Sequence, residues 1–340
     1  MASDLDAPTH AETMQDLYWW GIPTLFRCEV EEDPSKVDIG LVGVPHSSGN
    51  GMTERDQHLG PRALRDVSME YRRIHREFNF SPWEACRVRD MADVPLPNAM
   101  HNDRAIKDIE AYFKRLDQAG TRPVSVGGDH SITLPVLRAI AGCNSRISGE
   151  PVAVVHFDAH HDSYGEDDYG AHYLGNIEWA GAWARIMCEE NLVDPTKVFQ
   201  IGIRGHKAAP NEGIYSENAG YRVIEKAEFD ALGVVAVVEE IRNRIGDTPT
   251  YITFDLDALD PAFAPGVSNI EAGYPGMTMG EAMGVLQGMW GMNVIGGDVV
   301  CIMPSKDAPN KITAINASVI LFEQICLIAT SLAKRNDGRP

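Results

Sequence analysis

The chain has 340 residues, of which 44% are hydrophobic and 23% charged, and its formal net charge at pH 7 is −19. This composition is that of a globular protein, and the strong negative charge argues against a nucleic-acid-binding surface, which requires a basic patch. We expect no membrane span, because no window approaches the necessary apolar length. Residues 1–6 lack the basic and apolar regions of a secretory signal. The six cysteines form no CxxC pair, which favours reduced thiols in the cytoplasm.

The first 36 residues differ from the rest of the chain. They are polar and acidic, with one aromatic cluster at Tyr18, Trp19 and Trp20. We interpret residues 1–36 as an N-terminal extension that packs on the core or on a neighbouring subunit. Residues 37–340 are predicted to form a single domain, because no repeat, low-complexity tract or linker divides them.

From Val37 onward, short runs rich in Val and Ile alternate with helical segments. Strands are predicted at residues 37–44, 87–91, 123–126, 152–157, 197–203, 250–254 and 293–302. Helices are predicted at residues 101–119, 134–141, 176–190, 226–244, 278–289 and 311–333, and Thr278 with Glu281 has the spacing of a capping box. The strand runs are mostly apolar on both faces, which is typical of a parallel sheet covered by helices. The pattern therefore predicts an α/β fold with a mostly parallel sheet.

Polar clusters follow several of these strands, at the edge where such folds place their functional sites. The strand at residues 152–157 runs into Asp158, His160 and Asp162. In an extended chain this two-residue spacing puts all three side chains on one face. Three such donors at a strand end suit a divalent metal, although an ordinary polar loop is the alternative.

Two other strand ends supply further donors. Asp255 and Asp257 alternate with an apolar residue, and His130 follows two glycines that permit a tight turn. The candidate metal ligands are His130, Asp158, His160, Asp162, Asp255 and Asp257. Four carboxylates carry too much negative charge for one divalent ion and about the right charge for two. Without metal ions the carboxylates would repel one another, and this repulsion would raise their pKa values. The set contains no cysteine, which argues against a structural zinc site. Its oxygen-rich composition favours Mn²⁺, and its two histidines also admit Ni²⁺, Co²⁺ or Zn²⁺.

Three of these segments occur together in a known family. They are GGDHS at residues 127–131, DAHHD at residues 158–162 and FDLDALDPAFAPG at residues 254–266. In order and spacing they resemble the ureohydrolase family, which includes arginase, agmatinase and guanidinobutyrase, and the resemblance extends from Val37 to the C-terminus. It implies an arginase-like three-layer α/β/α fold, a binuclear metal centre and hydrolysis of the C–N bond of a guanidino group to release urea.

The resemblance also implies a role for each residue. One ion would be bound by His130, Asp158, Asp162 and Asp255, and the other by Asp158, His160, Asp255 and Asp257. Water activated by both ions would attack the guanidino carbon, with Asp162 and His172 as catalytic residues. His172 would shuttle protons or orient the substrate, unless it is an ordinary loop histidine. We expect His161 to point away from the ligands, and Ser131 to do no more than cap the following helix.

The chain departs from the family where the substrate would bind. The loop after the third motif has Asn269 and Ile270 before Glu271, where relatives have Thr-Pro-Glu. Cys301 stands where relatives carry the glutamate that binds the guanidinium, and Asp298 and Pro304 fix this alignment on both sides. The first loop, residues 49–62, differs as well. We therefore predict substrate contacts from His172, Asn269, Glu271 and Cys301.

These departures predict a small or alkylated guanidine, or a biguanide such as metformin, ahead of agmatine or guanidinobutyrate. A substituted guanidine does not offer the two N–H edges that a carboxylate binds in a bidentate manner. Relatives that hydrolyse guanidine or metformin are nickel enzymes, so Ni²⁺ stands beside Mn²⁺. Two other readings stay open: a non-catalytic partner subunit of a hetero-oligomeric ureohydrolase, and a single-zinc deacylase. The resemblance suggests a trimer or hexamer, with a paralogous subunit as an option.

Overall fold

The computed structural model describes residue 17 and residues 19–50, 56–69, 73–165, 175–207 and 209–337. Eight strands in this part of the chain form one sheet: β1 Ile39–Gly43, β2 Val88–Asp93, β3 Arg122–Val126, β4 Val152–Phe157, β5 Val193–Ile203, β6 Arg222–Glu225, β7 Thr250–Asp255 and β8 Val294–Val300. Their order is β2-β1-β3-β8-β7-β4-β5-β6, and every pairing is parallel. The prediction of a mostly parallel sheet is confirmed.

Helices cover both faces of the sheet. They are α1 Gly60–Ser68, α2 Pro82–Ala85, α3 Asn102–Ala119, α4 Thr133–Ile140, α5 Trp183–Glu189, α6 Ile214–Ala219, α7 Lys226–Ile245, α8 Met279–Gly288 and α9 Ile312–Asp337. Val155 and Phe157 of β4 point into one hydrophobic core with α1, α7, α8 and α9, while Val154 points into a second core with α3, α4 and α5. Successive residues of a strand face opposite sides, so two cores result. The arrangement is the predicted three-layer α/β/α fold.

Some elements were missed or misplaced by the sequence prediction. Strand β6 is four residues long and begins and ends with a charged residue, so it carries little apolar signal. Helix α1 begins with Gly60 and Pro61, which also occur in turns, although Pro is favoured in the first turn of a helix. The helix predicted at residues 176–190 begins only at Trp183, and Gly181 before it packs against the Trp179 ring, where a Cβ would lie 2.3 Å away.

Helix α9 corrects the expectation that no segment has the length and composition of a membrane span. Its residues Ile312–Lys334 are long and apolar enough to cross a membrane, but 83% of the apolar window is buried inside the fold. Leu321 and Ile325 are completely buried in the core beneath the sheet. A helix surrounded by protein is apolar on most sides, and that accounts for its composition.

The described part of the N-terminal extension is divided between the core and the surface. Leu25 and Phe26 are buried, and Phe26 packs against Trp83. Trp19 and Trp20 contact each other edge to face and are 61% and 51% exposed. The end of the extension is thus buried, and packing of residues 1–36 as a whole on the core or on a neighbouring subunit stays a prediction.

The capping box at the start of α8 is confirmed and allows a stability test. Thr278 Oγ1 accepts a hydrogen bond from the Glu281 backbone N at 3.2 Å, and Glu281 Oε2 accepts one from the Thr278 backbone N at 2.7 Å. Thr278→Ala should lower the free energy of unfolding by about 1 kcal/mol, measured by urea denaturation, because it removes one half of this cap. Thr278→Ser keeps the hydroxyl and is the matched control. Equal stability of the Ala and Ser variants would contradict the prediction.

Candidate metal centre

Neighbouring strands bring the predicted donors to one edge of the sheet. Strands β3, β8, β7 and β4 are adjacent and parallel, so their carboxyl ends lie side by side. His130 follows β3, Asp158 follows β4, Asp255 ends β7 and Cys301 follows β8. This edge is where open α/β sheets bind their ligands.

The first group of donors surrounds one nitrogen of His130. His130 Nδ1 lies 2.9 Å from Asp162 Oδ2, 3.1 Å from Asp158 Oδ2 and 3.3 Å from Asp255 Oδ2. The side chain is buried, and Nδ1 has no hydrogen-bond partner within the described residues. A buried polar atom without a protein partner is rare in folded proteins, and this position of Nδ1 suits a ligand of an ion.

The tautomer of His130 follows from the residues behind it. Thr253 Oγ1 donates a hydrogen bond to Asp298 Oδ1 at 2.6 Å and lies 2.9 Å from His130 Nε2. Because the Thr253 proton is already used, Oγ1 must accept the proton of Nε2. In the neutral imidazole, Nδ1 then carries a lone pair that faces the three carboxylate oxygens, which is the orientation of a metal-binding imidazole.

The second group surrounds His160. His160 Nδ1 lies 3.3 Å from Asp158 Oδ1 and 3.2 Å from Asp257 Oδ2, and His160 Nε2 lies 3.2 Å from Glu271 Oε1. If Nε2 donates to Glu271, the Nδ1 lone pair faces the two aspartates. That hydrogen bond holds the pKa of Glu271 below its usual range, although desolvation opposes it. Asp158 turns one oxygen to each histidine, so it stands between the two groups.

The crowded carboxylates have unequal pKa values. Burial raises the pKa of Asp257 well above its usual range, and the charge of Asp255 raises it further. Burial and the charge of Asp158 likewise raise the pKa of Asp162. Asp158 is the exception: burial opposes the shift, but the surrounding imidazoles, beginning with His156, hold its pKa well below the usual range. A divalent cation among these oxygens would relieve the repulsion that raises the first two values.

The donors converge through turns rather than through an extended strand, which corrects the sequence prediction. Strand β4 ends at Phe157, the chain bends at residues 159–160, and Asp162 has a left-handed φ of 49°. Asp158 Oδ1 accepts a hydrogen bond from the His160 backbone N at 2.7 Å. Asp257 likewise lies in the 3₁₀ turn Leu256–Ala258. Aspartate side chains stabilise such turns by bonding to the backbone two residues on.

The two glycines before His130 are required for a reason other than the tight turn that was predicted. Neither Gly127 nor Gly128 has a left-handed φ. A Cβ on Gly128 would lie 2.2 Å from the carbonyl oxygen of His46, so glycine is required by the close approach of two backbones. The cap of the following turn is Asp129, whose Oδ1 accepts a hydrogen bond from the Ser131 backbone N at 3.0 Å. The expectation that Ser131 caps the helix was therefore wrong.

The remaining predicted site residues have different surroundings. His161 is buried away from the donors, with Nδ1 3.4 Å from Gln200 Oε1, as expected. Asn269 is half-buried in the loop that carries Glu271. His172 lies outside the described residues.

Cys301 corrects the expectation that the cluster contains no cysteine. Its Sγ, a ring nitrogen of His130 and a carboxylate oxygen of Asp255 all lie within 4.8 Å of one another, and the side chain is 4% exposed. Burial and the charges of Asp255 and Asp257 raise the pKa of the thiol well above its usual range. In the absence of a cation this group is a neutral thiol beside the carboxylates.

Two contributors to the site were missed in the sequence. His156 Nε2 lies 2.7 Å from Asp158 Oδ2, and Trp183 Nε1 donates to Asp162 Oδ2 at 2.9 Å. His156 stands two residues before Asp158, so the same alternation that identified Asp158 could have identified it. Trp183 comes from α5 and has no local signal, because only the packing of that helix brings it to Asp162.

The family follows from a comparison with known proteins. Residues 37–326 match the sequence model of the arginase family. The chain belongs to the arginase family. The predicted resemblance to ureohydrolases is thereby confirmed.

Other members of the arginase family are similar along most of the chain. Guanidinopropionase from Pseudomonas aeruginosa is 38% identical over 92% of this chain and 94% of its own length. Mitochondrial agmatinase from Gallus gallus is 33% identical over 91% of this chain and 86% of its own. The solved structure of proclavaminate amidino hydrolase from Streptomyces clavuligerus superposes with a TM-score of 0.83 at 30% identity, covering 93% of this chain and 99% of that one. The similarity thus covers most of the length of each of these hydrolases.

The donors of this arginase-family chain fit divalent cations. Each of the two groups combines carboxylate oxygens with one imidazole whose Nδ1 faces them. Buried carboxylates in this number need a positive charge between them, and a mixed oxygen and nitrogen set suits first-row divalent metals. The cluster could therefore bind metal ions.

The hydrogen bond behind His130 leads to a prediction. Thr253→Val removes the acceptor that holds the Nε2 proton, and should weaken metal binding about 10–100-fold, as loss of such supporting contacts usually does. Isothermal titration of the metal-free protein with Ni²⁺ or Mn²⁺ measures the effect. Thr196→Val is the control, because Thr196 is exposed and its side-chain hydroxyl donates to the nearby Asp194, away from the donor cluster. Unchanged affinity in the Thr253 variant would show that the tautomer is fixed in another way.

Proposed function

We propose that the chain is a metal-dependent hydrolase that cleaves the C–N bond of a guanidino compound and releases urea, with a small or alkylated guanidine or a biguanide such as metformin as substrate. The observation that carries this proposal is the contrast within one site. All six predicted donors lie together, while the position of the guanidinium-binding glutamate holds the neutral thiol of Cys301. A retained reaction on a changed substrate accounts for both.

The residues that would hold two divalent ions, Ni²⁺ or Mn²⁺, are His130, Asp158, His160, Asp162, Asp255 and Asp257. When bound there, such ions supply a water of lowered pKa and a positive charge opposite the attacked carbon. Asp162 would take up the proton of the attacking water and hand it to the leaving nitrogen, and His172 would assist that transfer or orient the substrate. The hydrogen bond from Trp183 keeps one oxygen of Asp162 in place, which fixes the direction of the proton transfer.

The side chain of Cys301 is the basis of the substrate proposal. A carboxylate would bind a guanidinium through two parallel charge-assisted hydrogen bonds, and a single sulfur atom offers no second acceptor for such a pair. Ile302 and Met303, which follow Cys301, are apolar and buried, so this strand end is suited to alkyl groups rather than to an unsubstituted guanidinium edge. We also propose contacts to the substrate from Asn269 and Glu271, with Glu271 at the same time orienting His160.

A guanidino acid is the second candidate, and agmatine the third. Relatives of this chain are named for guanidinopropionate and guanidinobutyrate. A cavity of about 290 Å³ is lined in part by Arg204, Gly205, His206 and Lys207, and Gly205 packs against Glu271. Cationic side chains in this cavity would pair with the carboxylate of a guanidino acid.

The deciding experiment is urea release from a panel of substrates by protein loaded with Ni²⁺ or Mn²⁺. The panel contains metformin, guanidine, guanidinopropionate, guanidinobutyrate, agmatine and arginine. We expect the highest kcat/KM for an alkylated guanidine or biguanide, and a Cys301→Glu variant should shift the preference towards unsubstituted guanidinium groups. A guanidino acid as best substrate would replace the first candidate by the second. Two bound ions without urea from any compound would favour a non-catalytic partner subunit.

The oligomeric state and the cellular compartment of the protein are two further proposals, and each has a simple test. We propose a trimer or hexamer, either of this chain alone or with a paralogous subunit, which light scattering of the purified protein would measure. All six cysteines are free thiols. Free thiols favour a reducing compartment, so we propose the cytoplasm, which cell fractionation would test.

A further inference from the structure

Cys301 belongs to the first group of donors, which surrounds His130. Its Sγ, a ring nitrogen of His130 and a carboxylate oxygen of Asp255 all lie within 4.8 Å of one another. His130 is buried, and its Nδ1, which lies 3.3 Å from Asp255 Oδ2, has no hydrogen-bond partner within the described residues. Sulfur, nitrogen and oxygen atoms grouped in this way are the donors that first-row divalent metals bind.

The backbone holds Cys301 in this position at some cost. Its φ is 67°, a left-handed value that is sterically unfavourable for a residue with a Cβ. The backbone N of Cys301 donates to the carbonyl oxygen of Gly128 at 2.9 Å, which ties the end of β8 to the turn that presents His130. The two ligand-bearing turns are thus fixed to each other by a main-chain bond. Strained residues held in this way cluster at functional sites.

We propose that Cys301 Sγ is a ligand of the ion held by His130 and Asp255. The inference rests on the proposed metal-dependent function and adds a seventh donor to it. As the ion enters, the S–H bond breaks, the sulfur keeps the electron pair for the metal and the proton passes to solvent. A soft sulfur donor raises the preference for Ni²⁺, Co²⁺ and Zn²⁺ over Mn²⁺, because Mn²⁺ prefers oxygen. The competing arrangement is a thiol that only donates a hydrogen bond to Asp255.

Sulfur ligation has a spectroscopic signature that a hydrogen bond lacks. The metal-free protein is titrated with Co²⁺ alone, and near-ultraviolet absorption is recorded for the wild type, Cys301→Ser and Cys326→Ser. Cys326 is the matched control, since it is also a buried free thiol but lies in α9 outside the cluster. We expect a sulfur-to-metal charge-transfer band in the wild type and in Cys326→Ser, and none in Cys301→Ser. A band that survives in Cys301→Ser would overturn the proposal.

Metal selectivity is the second readout. Competition between Ni²⁺ and Mn²⁺ should show the preference for Ni²⁺ reduced about 10-fold or more in Cys301→Ser, and unchanged in Cys326→Ser. Equal preference in the wild type and Cys301→Ser would contradict sulfur ligation.

X-ray absorption of the wild-type protein needs no variant, so it decides even if Cys301→Ser fails to fold. Zn²⁺-loaded protein should show a sulfur shell at about 2.3 Å beside nitrogen and oxygen at about 2.0–2.2 Å. Two bound ions with nitrogen and oxygen alone would overturn this inference and leave the proposed function standing. Absence of any bound metal would overturn both.

Discussion

Asp162→Asn should lower the rate of urea release by more than about 100-fold. Loss of a residue that merely supports a metal ligand costs about 10–100-fold, and Asp162 is a direct donor in the proposed site. Its Oδ2 lies 2.9 Å from His130 Nδ1, in the space where the ion is proposed. An amide there has no negative charge for the ion and no basic oxygen for the proton. The variant keeps the shape of the side chain, and its carbonyl oxygen can still accept from Trp183.

The metal content of the same variant separates the two roles of Asp162. One bound ion instead of two would indicate ligation, and two bound ions with no activity would indicate proton transfer. Asp194→Asn is the control, because Asp194 lies outside the cluster and bonds only to its neighbours Thr196 and Lys197. Full activity of Asp162→Asn would refute the proposed mechanism.

Removal of divalent metal with a chelator should abolish urea release and lower the thermal midpoint, and Ni²⁺ or Mn²⁺ should restore both. An ion that binds only the folded state stabilises it by about 2.7 kcal/mol at a concentration 100 times its Kd. The effect should be at least of this size, because two ions are proposed to bind among the buried carboxylates of Asp158, Asp162, Asp255 and Asp257. Scanning calorimetry with and without metal measures it. An unchanged midpoint would mean that the cluster is satisfied without a cation.

The affinity of the metal-free protein for divalent metal should increase as the pH rises. Burial lowers the pKa of His160, but the charge of Asp257 and hydrogen bonds to Asp158 outweigh it and raise the pKa well above its usual range. The metal-free imidazole therefore keeps its proton at a higher pH than usual, and a protonated Nδ1 excludes the ion. The pKa of Asp257 is raised as well, so it competes for protons in the same direction. Metal affinity should rise as the pH is raised through these values and fall below them. Equal affinity from about pH 5 to pH 9 would contradict this.

Much of the fold followed from local patterns. The run at residues 152–157 was predicted with its observed bounds, because a fully buried parallel strand is continuously apolar and its signal does not depend on its neighbours. The capping box at Thr278 is equally local, since both partners lie within one turn. Strand β6 was missed for the opposite reason. It lies at the edge of the sheet and is only half-buried, so its pairing with β5 defines it more than its composition does.

The donor types followed from the sequence, but their geometry did not. The alternating aspartates and histidines predicted a metal site, and all six predicted donors lie at one edge of the sheet. The expected extended segment is in fact a turn, because the side chain of Asp158 bonds to the backbone of His160. That preference of aspartate competes with the extended conformation and is decided by the surrounding contacts.

The sequence by itself determined which chemistry this protein carries: a parallel α/β sheet with four aspartates and two histidines beyond its strand ends, within the arginase family. Only the tertiary structure decided what surrounds those donors. Thr253 behind His130, Glu271 on His160 and Cys301 beside Asp255 all come from other strands or loops. The physical reason is the separation along the sequence over which each property is decided. Strand propensity and ligand type depend on a few adjacent residues. The tautomer of a histidine or a shared ion site depends on atoms that meet only after the sheet has formed.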